Sequence, residues 1–171
     1  MKKLLFICLL FSLLCCKSAE PNAIQNKNTS MENCPDDGVC SVVLLQNKTL
    51  NVLSDDLGGL YVTLTDNPNT HVFHYQYKRN VPDDVQDGHH VEEVYWEINA
   101  IDKNFLLENE SLQDVKMIFG RHCYCKGQAG YFKINSGTLE LDKREDGYVV
   151  KLNFETKEVP QLLNAVTALV Q

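Results

Sequence analysis

Two stretches of period-two alternation constrain this chain more than anything else in it. Over 71–78, His71, Phe73, Tyr75 and Tyr77 fall on one side, and Val72, His74, Gln76 and Lys78 on the other. Over 90–98, His90, Glu92, Val94, Trp96 and Ile98 alternate with Val91, Glu93, Tyr95 and Glu97. Such a pattern cannot wrap onto a helix, and it demands antiparallel strands with one wetter side. The polar stretch 80–88 between them reads as a long loop. Segments 40–45 and 49–53 read as a hairpin about 46–48, and 60–65 as a further strand before a turn at Asp66-Asn67-Pro68-Asn69. Strands are also expected at 131–134, 138–141 and 148–154, because Asn135-Ser136-Gly137 and Asp146-Gly147 are hairpin punctuation.

Two helices are expected beside this sheet. Over 111–119, Ser111 and Asp114 match a capping box, Leu112, Val115 and Phe119 share a helical face, and Gly120 can end the helix. At the C-terminus Pro160 suits a first helical turn, and Val159, Leu162, Leu163, Val166, Leu169 and Val170 make one apolar stripe. With no alternating βαβ rhythm, the fold class is α+β and β-rich. It is read as an antiparallel sheet or sandwich-like layers with one mid-chain and one C-terminal helix.

The N-terminus sets the compartment. Lys2 and Lys3 precede an apolar run of 11 residues, Leu4 to Leu14, interrupted by Cys8 and Ser12. It is too short for a permanent membrane span and fits an export signal. Leu13-Leu14-Cys15 lacks the small residues of an ordinary cleavage site. The stretch instead resembles a bacterial lipoprotein signal, with Leu13, Leu14 and Cys15 in the three positions before the lipid-modified Cys16. Cys15 as the modified residue is the near alternative. The resemblance covers only the N-terminal tenth of the chain. It implies a diacylglycerol thioether and an N-terminal acyl group on Cys16, enough acyl chains for stable attachment. The expected organisation is a signal over 1–15, a flexible tether over 16–33, and one β-rich domain over 34–171. The domain would be held at the outer membrane, facing the periplasm or the cell surface.

Charge narrows the partners. Without Lys2 and Lys3 the chain has 14 basic and 23 acidic residues, a formal charge of −9. Such a surface supplies no phosphate neutralisation, so no nucleic-acid partner is expected. It also disfavours lying flat on an anionic bilayer. The expected partners are the membrane, through the covalent lipid, and an envelope protein or small ligand. Asn28, Asn47 and Asn109 head glycosylation-type triplets, which a bacterial lipoprotein would not use by this route.

The mature domain holds Cys34, Cys40, Cys123 and Cys125, the candidates for two disulfides in an oxidising envelope. Bridging the first strand to a late one would close a loop of roughly 85–90 residues, worth ~4 kcal/mol. A local Cys34–Cys40 bridge is the alternative. His122, Cys123 and Cys125, joined by His89 or His90, also have soft-metal ligand chemistry. Thiol exchange is disfavoured because the expected helix precedes these cysteines, so its dipole points the wrong way. His71 and His74, like His89 and His90, fall on opposite faces of a strand and cannot share an ion. Asp83, Asp84 and Asp87 miss the calcium-loop spacing, since Val85 stands where a ligand belongs.

No G-x-S-x-G elbow, H-E-x-x-H helix or phosphate-binding glycine loop is present. Glu92, Glu93 and Glu97 are abundant carboxylates without evident pairing. The aromatic residues Tyr75, Tyr77 and Tyr95 form a candidate ligand face, set against the plainer reading that they belong to the core. The leading expectation is therefore a non-catalytic, lipid-anchored binding or structural module with no metal and no cofactor. The enzyme alternative is a small envelope hydrolase with a site built from histidines and carboxylates. The metal alternative uses His122, Cys123 and Cys125.

Overall fold

The computed structural model describes residues 31–102 and 104–171. The signal and nearly all of the tether expected over 1–33, with Cys16, lie outside the described residues. Two long strands, β2 (Gly38–Ser54) and β3 (Leu60–Arg79), form one hairpin that runs from Gly38 opposite Arg79 to Ser54 opposite Leu60. The turns expected at 46–48 and 66–69 are instead facing irregularities within it. The register shifts between Gln46 and Lys48, Asn47 takes a positive φ of 57°, and Pro68 sits in the longer bulged side.

β3 continues through β4 (His90–Asn99) and β6 (Ile118–Cys123) to β7 (Gly130–Lys133), all antiparallel. This sheet curls until Tyr131 of β7 pairs with Leu60 at the start of β3. A second sheet orders β1 (Met31–Glu32), β10 (Ala165–Val170), β9 (Gly147–Phe154), β8 (Gly137–Arg144) and β5 (Asn104–Glu108).

The alternation in β3 and β4 sorts residues between two interiors. Phe73, Tyr75, Tyr77, Val94, Trp96 and Ile98 pack against the second sheet's Leu139, Leu141, Val150, Leu152, Val166 and Ala168. Phe73 stacks on Trp96 at 4.9 Å and meets Tyr148 edge-on at 5.6 Å. The opposite face looks into the curl, where Leu50, Val72 and Ile118 form a smaller core with Tyr95 and Tyr131 beside it.

The expected helices require correction. The mid-chain segment is a short 3₁₀ turn, Asn109–Val115, whose capping box uses Glu108 and Ser111 rather than Ser111 and Asp114. Lys116 leaves it in the left-handed region, and β6 begins two residues on. Met117, Ile118 and Phe119 are all fully buried. A strand between two interiors buries successive residues on both sides, whereas an amphipathic helix would leave one of them in water.

The C-terminal segment forms no helix either. Residues 155–164 cross the end of the sandwich without regular structure, and β10 pairs with β9 from Ala165–Asn153 to Val170–Tyr148. Val166, Ala168 and Val170 point inward, and Leu162 of the expected helical stripe is 40% exposed. The backbone of β9 needs a neighbour on that edge, and β10 supplies it. The fold is thus an antiparallel β-rich pair of sheets with one short helix among the described residues. Also among the described residues, no helix is long and apolar enough to cross a membrane.

Candidate functional site

Glu92 and Glu93 are neighbours in β4, so their carboxylates leave on opposite faces and enter different environments. Glu93 projects into the curl. One of its oxygens accepts from Nε2 of His122 at 2.9 Å and from the Tyr131 hydroxyl at 2.6 Å. The other accepts from Nε2 of His74 at 2.8 Å and the Tyr95 hydroxyl at 3.2 Å, with Gln76 Nε2 at the outer limit of 3.5 Å. Register explains the convergence: Gln76 and Gly120 lie directly opposite Glu93, and Tyr131 lies opposite Gly120.

Burial pushes the Glu93 carboxyl up, but hydrogen bonds from His122, His74 and Tyr131 outweigh it and hold the group well below its ordinary range. Burial raises both Tyr95 and Tyr131 far above the usual tyrosine value, and the negative charge and hydrogen bonding of Glu93 raise them further. Both tyrosines therefore stay protonated donors to an ionised carboxylate.

The chemistry of that carboxylate assigns the imidazole protons. An ionised Glu93 only accepts, so each histidine must carry a proton on Nε2, and a neutral ring then keeps its lone pair on Nδ1. The two rings are not equivalent. His74 is stacked flat on Tyr95, centroids 4.2 Å apart, and its side chain is 19% exposed. His122 meets Tyr131 edge-on and is 42% exposed. It lines a cleft of about 430 Å³ shared with Lys78, Asp87, His89 and Tyr124. A larger cleft of about 650 Å³ lies between Leu50, Lys116 and Lys133, but its lining contains no imidazole or carboxylate. Of the Glu93 cluster, His122 is the residue that lines the smaller cleft.

Gly120 makes room for the cluster. A Cβ there would come within 2.6 Å of the Tyr131 ring and 3.0 Å of Glu93 Cγ. Gly120→Ala is expected to push Tyr131 off Glu93 and cost about 1–3 kcal/mol. Denaturant unfolding and the near-ultraviolet signal of the tyrosines measure this; an unchanged midpoint and spectrum would mean the ring yields freely.

Glu92 faces the main core and is wholly buried. It accepts from His90 Nε2 at 2.9 Å and from the backbone amides of Leu162 and Leu163 at 2.7 and 2.8 Å. Arg121 lies opposite it in β6, with Nε 3.6 Å away and without a hydrogen bond of its own. His90 therefore belongs to a clasp on the crossing segment and does not join His74 and His122.

Tyr75 and Tyr77 are fully buried in the main core, and burial with the nearby Glu92 charge pushes the Tyr75 hydroxyl up to about 12. Tyr95 points the other way, so the three share no ligand face. The cysteines pair locally, Cys34 with Cys40 and Cys123 with Cys125, rather than across the fold. With Cys123 and Cys125 joined, they are not the free thiolates that the His122 metal site requires. Among the described residues, no group of three or more His, Cys, Asp or Glu is arranged to hold a metal ion.

The expected non-catalytic module is corrected by the Glu93 cluster. A buried carboxylate bonded to a part-exposed imidazole beside a cleft is geometry that a histidine–carboxylate active site can use. In the sequence Glu93 is one of several carboxylates without evident pairing, and its placement on the same side of the strand as Tyr95 is the signal that sets it beside a donor. Comparison with protein-family models, curated proteins and solved structures returned no match.

Proposed function

We propose that this chain is a small hydrolase of the cell envelope in which His122 is the general base and Glu93 its orienting carboxylate. The carrying observation is the 2.9 Å bond from His122 Nε2 to Glu93. It places the proton on Nε2, leaves Nδ1 to take a proton from water, and stabilises the imidazolium that results. Water activated by His122 adds to the carbonyl of a substrate held in the cleft. The ammonium of Lys78, in the same cleft, offsets the charge that develops on the carbonyl oxygen. His122 then returns its proton to the leaving group. Carboxylic esters suit this machinery better than amides, because an alkoxide leaves with less help from an acid. The Lys2–Cys16 signal supports attachment through lipid on Cys16 at the outer membrane, which would place the hydrolase in the envelope.

Hydrolysis of short p-nitrophenyl esters by the purified chain tests the reading. His122→Gln is expected to lower kcat/KM about 100-fold or more, the usual contribution of a positioned base. His71→Gln, a change outside the cleft, should leave the rate alone. Equal rates for His122→Gln and the unaltered chain would overturn the proposal, as would no hydrolysis of any ester above the buffer rate.

A further inference from the structure

The disulfide beside this cleft is placed for chemistry that the Glu93 cluster does not use. Cys123 and Cys125 are two residues apart with Cα atoms 5.3 Å from each other, within the span that disulfides bridge. A bridge over so short a loop restrains the unfolded chain little. Cys123 is in any case already held opposite His90 in the β4–β6 ladder. The Cys34–Cys40 bridge is different. It closes the turn that carries Asp37, whose carboxylate accepts from the Tyr77 hydroxyl at 2.7 Å and from Arg79 at 3.0 Å. One bridge closes a turn whose Asp37 is tied to the sheet, and the other spans a single residue.

The two sulfurs of the second bridge also differ. Cys123 lines the open cleft with His122 and Tyr124. Cys125 Sγ accepts a hydrogen bond from Arg121 Nη1 at 3.3 Å. A guanidinium there favours the thiolate, which makes Cys125 the better leaving group. Glu92 draws on the other side of the guanidinium, at Nε, and leaves Nη1 to Cys125 and Gln128. The helix whose dipole would have opposed a thiolate is a short 3₁₀ turn that stops at Val115, and 118–123 is a strand. Tyr124, between the cysteines, is 85% exposed and offers an apolar ring to an approaching chain.

We propose that Cys123–Cys125 is a thiol-exchange site that accepts electrons from cysteine thiols, free or within a peptide. A substrate thiolate attacks Cys123 Sγ from the cleft. A new S–S bond forms, the Cys123–Cys125 bond breaks, and its electron pair leaves on Cys125 beside Arg121. A second substrate thiolate then attacks the substrate sulfur of the mixed disulfide and releases Cys123. Two substrate thiols become one disulfide, the bridge becomes two thiols that take up the two protons, and no other oxidant enters.

The test begins with the full chain carrying both bridges, equilibrated in graded mixtures of reduced and oxidised glutathione. After an acid quench and alkylation, mass spectrometry reads each cysteine. Half-reduction of Cys123–Cys125 is expected at a glutathione ratio, [GSH]²/[GSSG], at least tenfold lower than for Cys34–Cys40. Equal ratios, or earlier reduction of Cys34–Cys40, would overturn the proposal. A reduced peptide with two cysteines forms the second arm. Faster oxidation of the peptide than of glutathione identifies a polypeptide substrate, and the reverse identifies a small thiol. Arg121→Gln is expected to slow exchange at least tenfold at neutral pH, and Arg121→Lys to keep most of the rate. Should Arg121→Gln fail to fold, the glutathione ratios of the unaltered chain still decide.

Discussion

Glu93→Gln is expected to lower the stability of the folded chain by about 3 kcal/mol and to remove most of its hydrolytic activity. The substitution keeps the size of the side chain and reverses its chemistry. Four good donors, from His74, His122, Tyr95 and Tyr131, now converge on the carboxylate. A glutamine offers one acceptor oxygen and turns an NH₂ group toward two of those donors. Each buried polar group left without a partner costs about 1–3 kcal/mol, and loss of the charge weakens the bonds that remain. Activity should fall with it, because His122 loses the acceptor that sets its tautomer.

The pH dependence separates this account from simple misfolding. A carboxyl held below its ordinary value contributes stability that is fully present above pH 4.5, the usual glutamate value, and is lost as pH falls further toward its depressed folded value. Unaltered chain and Glu93→Gln should therefore differ most near neutrality and converge as the solution is acidified below that point. Urea unfolding at several pH values measures the gap. A gap that stays constant down to strongly acidic solution would show that the Glu93 charge is not what holds the cluster.

Glu92→Ala should be more damaging still, costing about 3–5 kcal/mol, the range for breaking a buried charge pair. Single domains are stable by only about 5–15 kcal/mol, so the variant sits near the edge of folding. The amides of Leu162 and Leu163 lose their shared acceptor, and Arg121 keeps a buried charge with no partner carboxylate. Glu92→Gln retains an oxygen for the two amides and should lose less. Hydrogen exchange gives a local readout: the amides of Leu162 and Leu163 should become the first to exchange in the clasp region. If they stay protected in a stable Glu92→Ala chain, another group closes the crossing segment. Gln161 is the nearest such group, since its side chain already bonds Thr156, Phe154 and Leu163.

Much of the sheet was legible because alternation is a local property. Phe73, Tyr75 and Tyr77 must share a face whatever the strand meets, and so must Val94, Trp96 and Ile98. The glycines at 137 and 147 likewise announce the turns that flank β8 and β9, where φ values of 137° and 142° suit a residue without a side chain. The helices failed for the converse reason. Ile118 and Phe119 are buried by two different partners, one inside the curl and one between the sheets, and no local pattern records a strand with two interiors. Val166, Ala168 and Val170 fit a strand as well as a helix, and the unpaired edge of β9 chose between them.

The candidate site divides in the same way. The amino-acid order by itself determined that Glu92 and Glu93 face apart and that His74 opposes His71, while the pairing of Cys123 with Cys125 came from the structure. The two facings follow from backbone geometry over two or three residues. Only the tertiary structure decided that β3, β6 and β7 bring His74, His122 and Tyr131 to Glu93, because strand register and the curl of the sheet are set by contacts far apart in the chain. A carboxylate becomes a catalytic candidate through the donors that surround it, and three of the four donors here, His74, His122 and Tyr131, come from other strands.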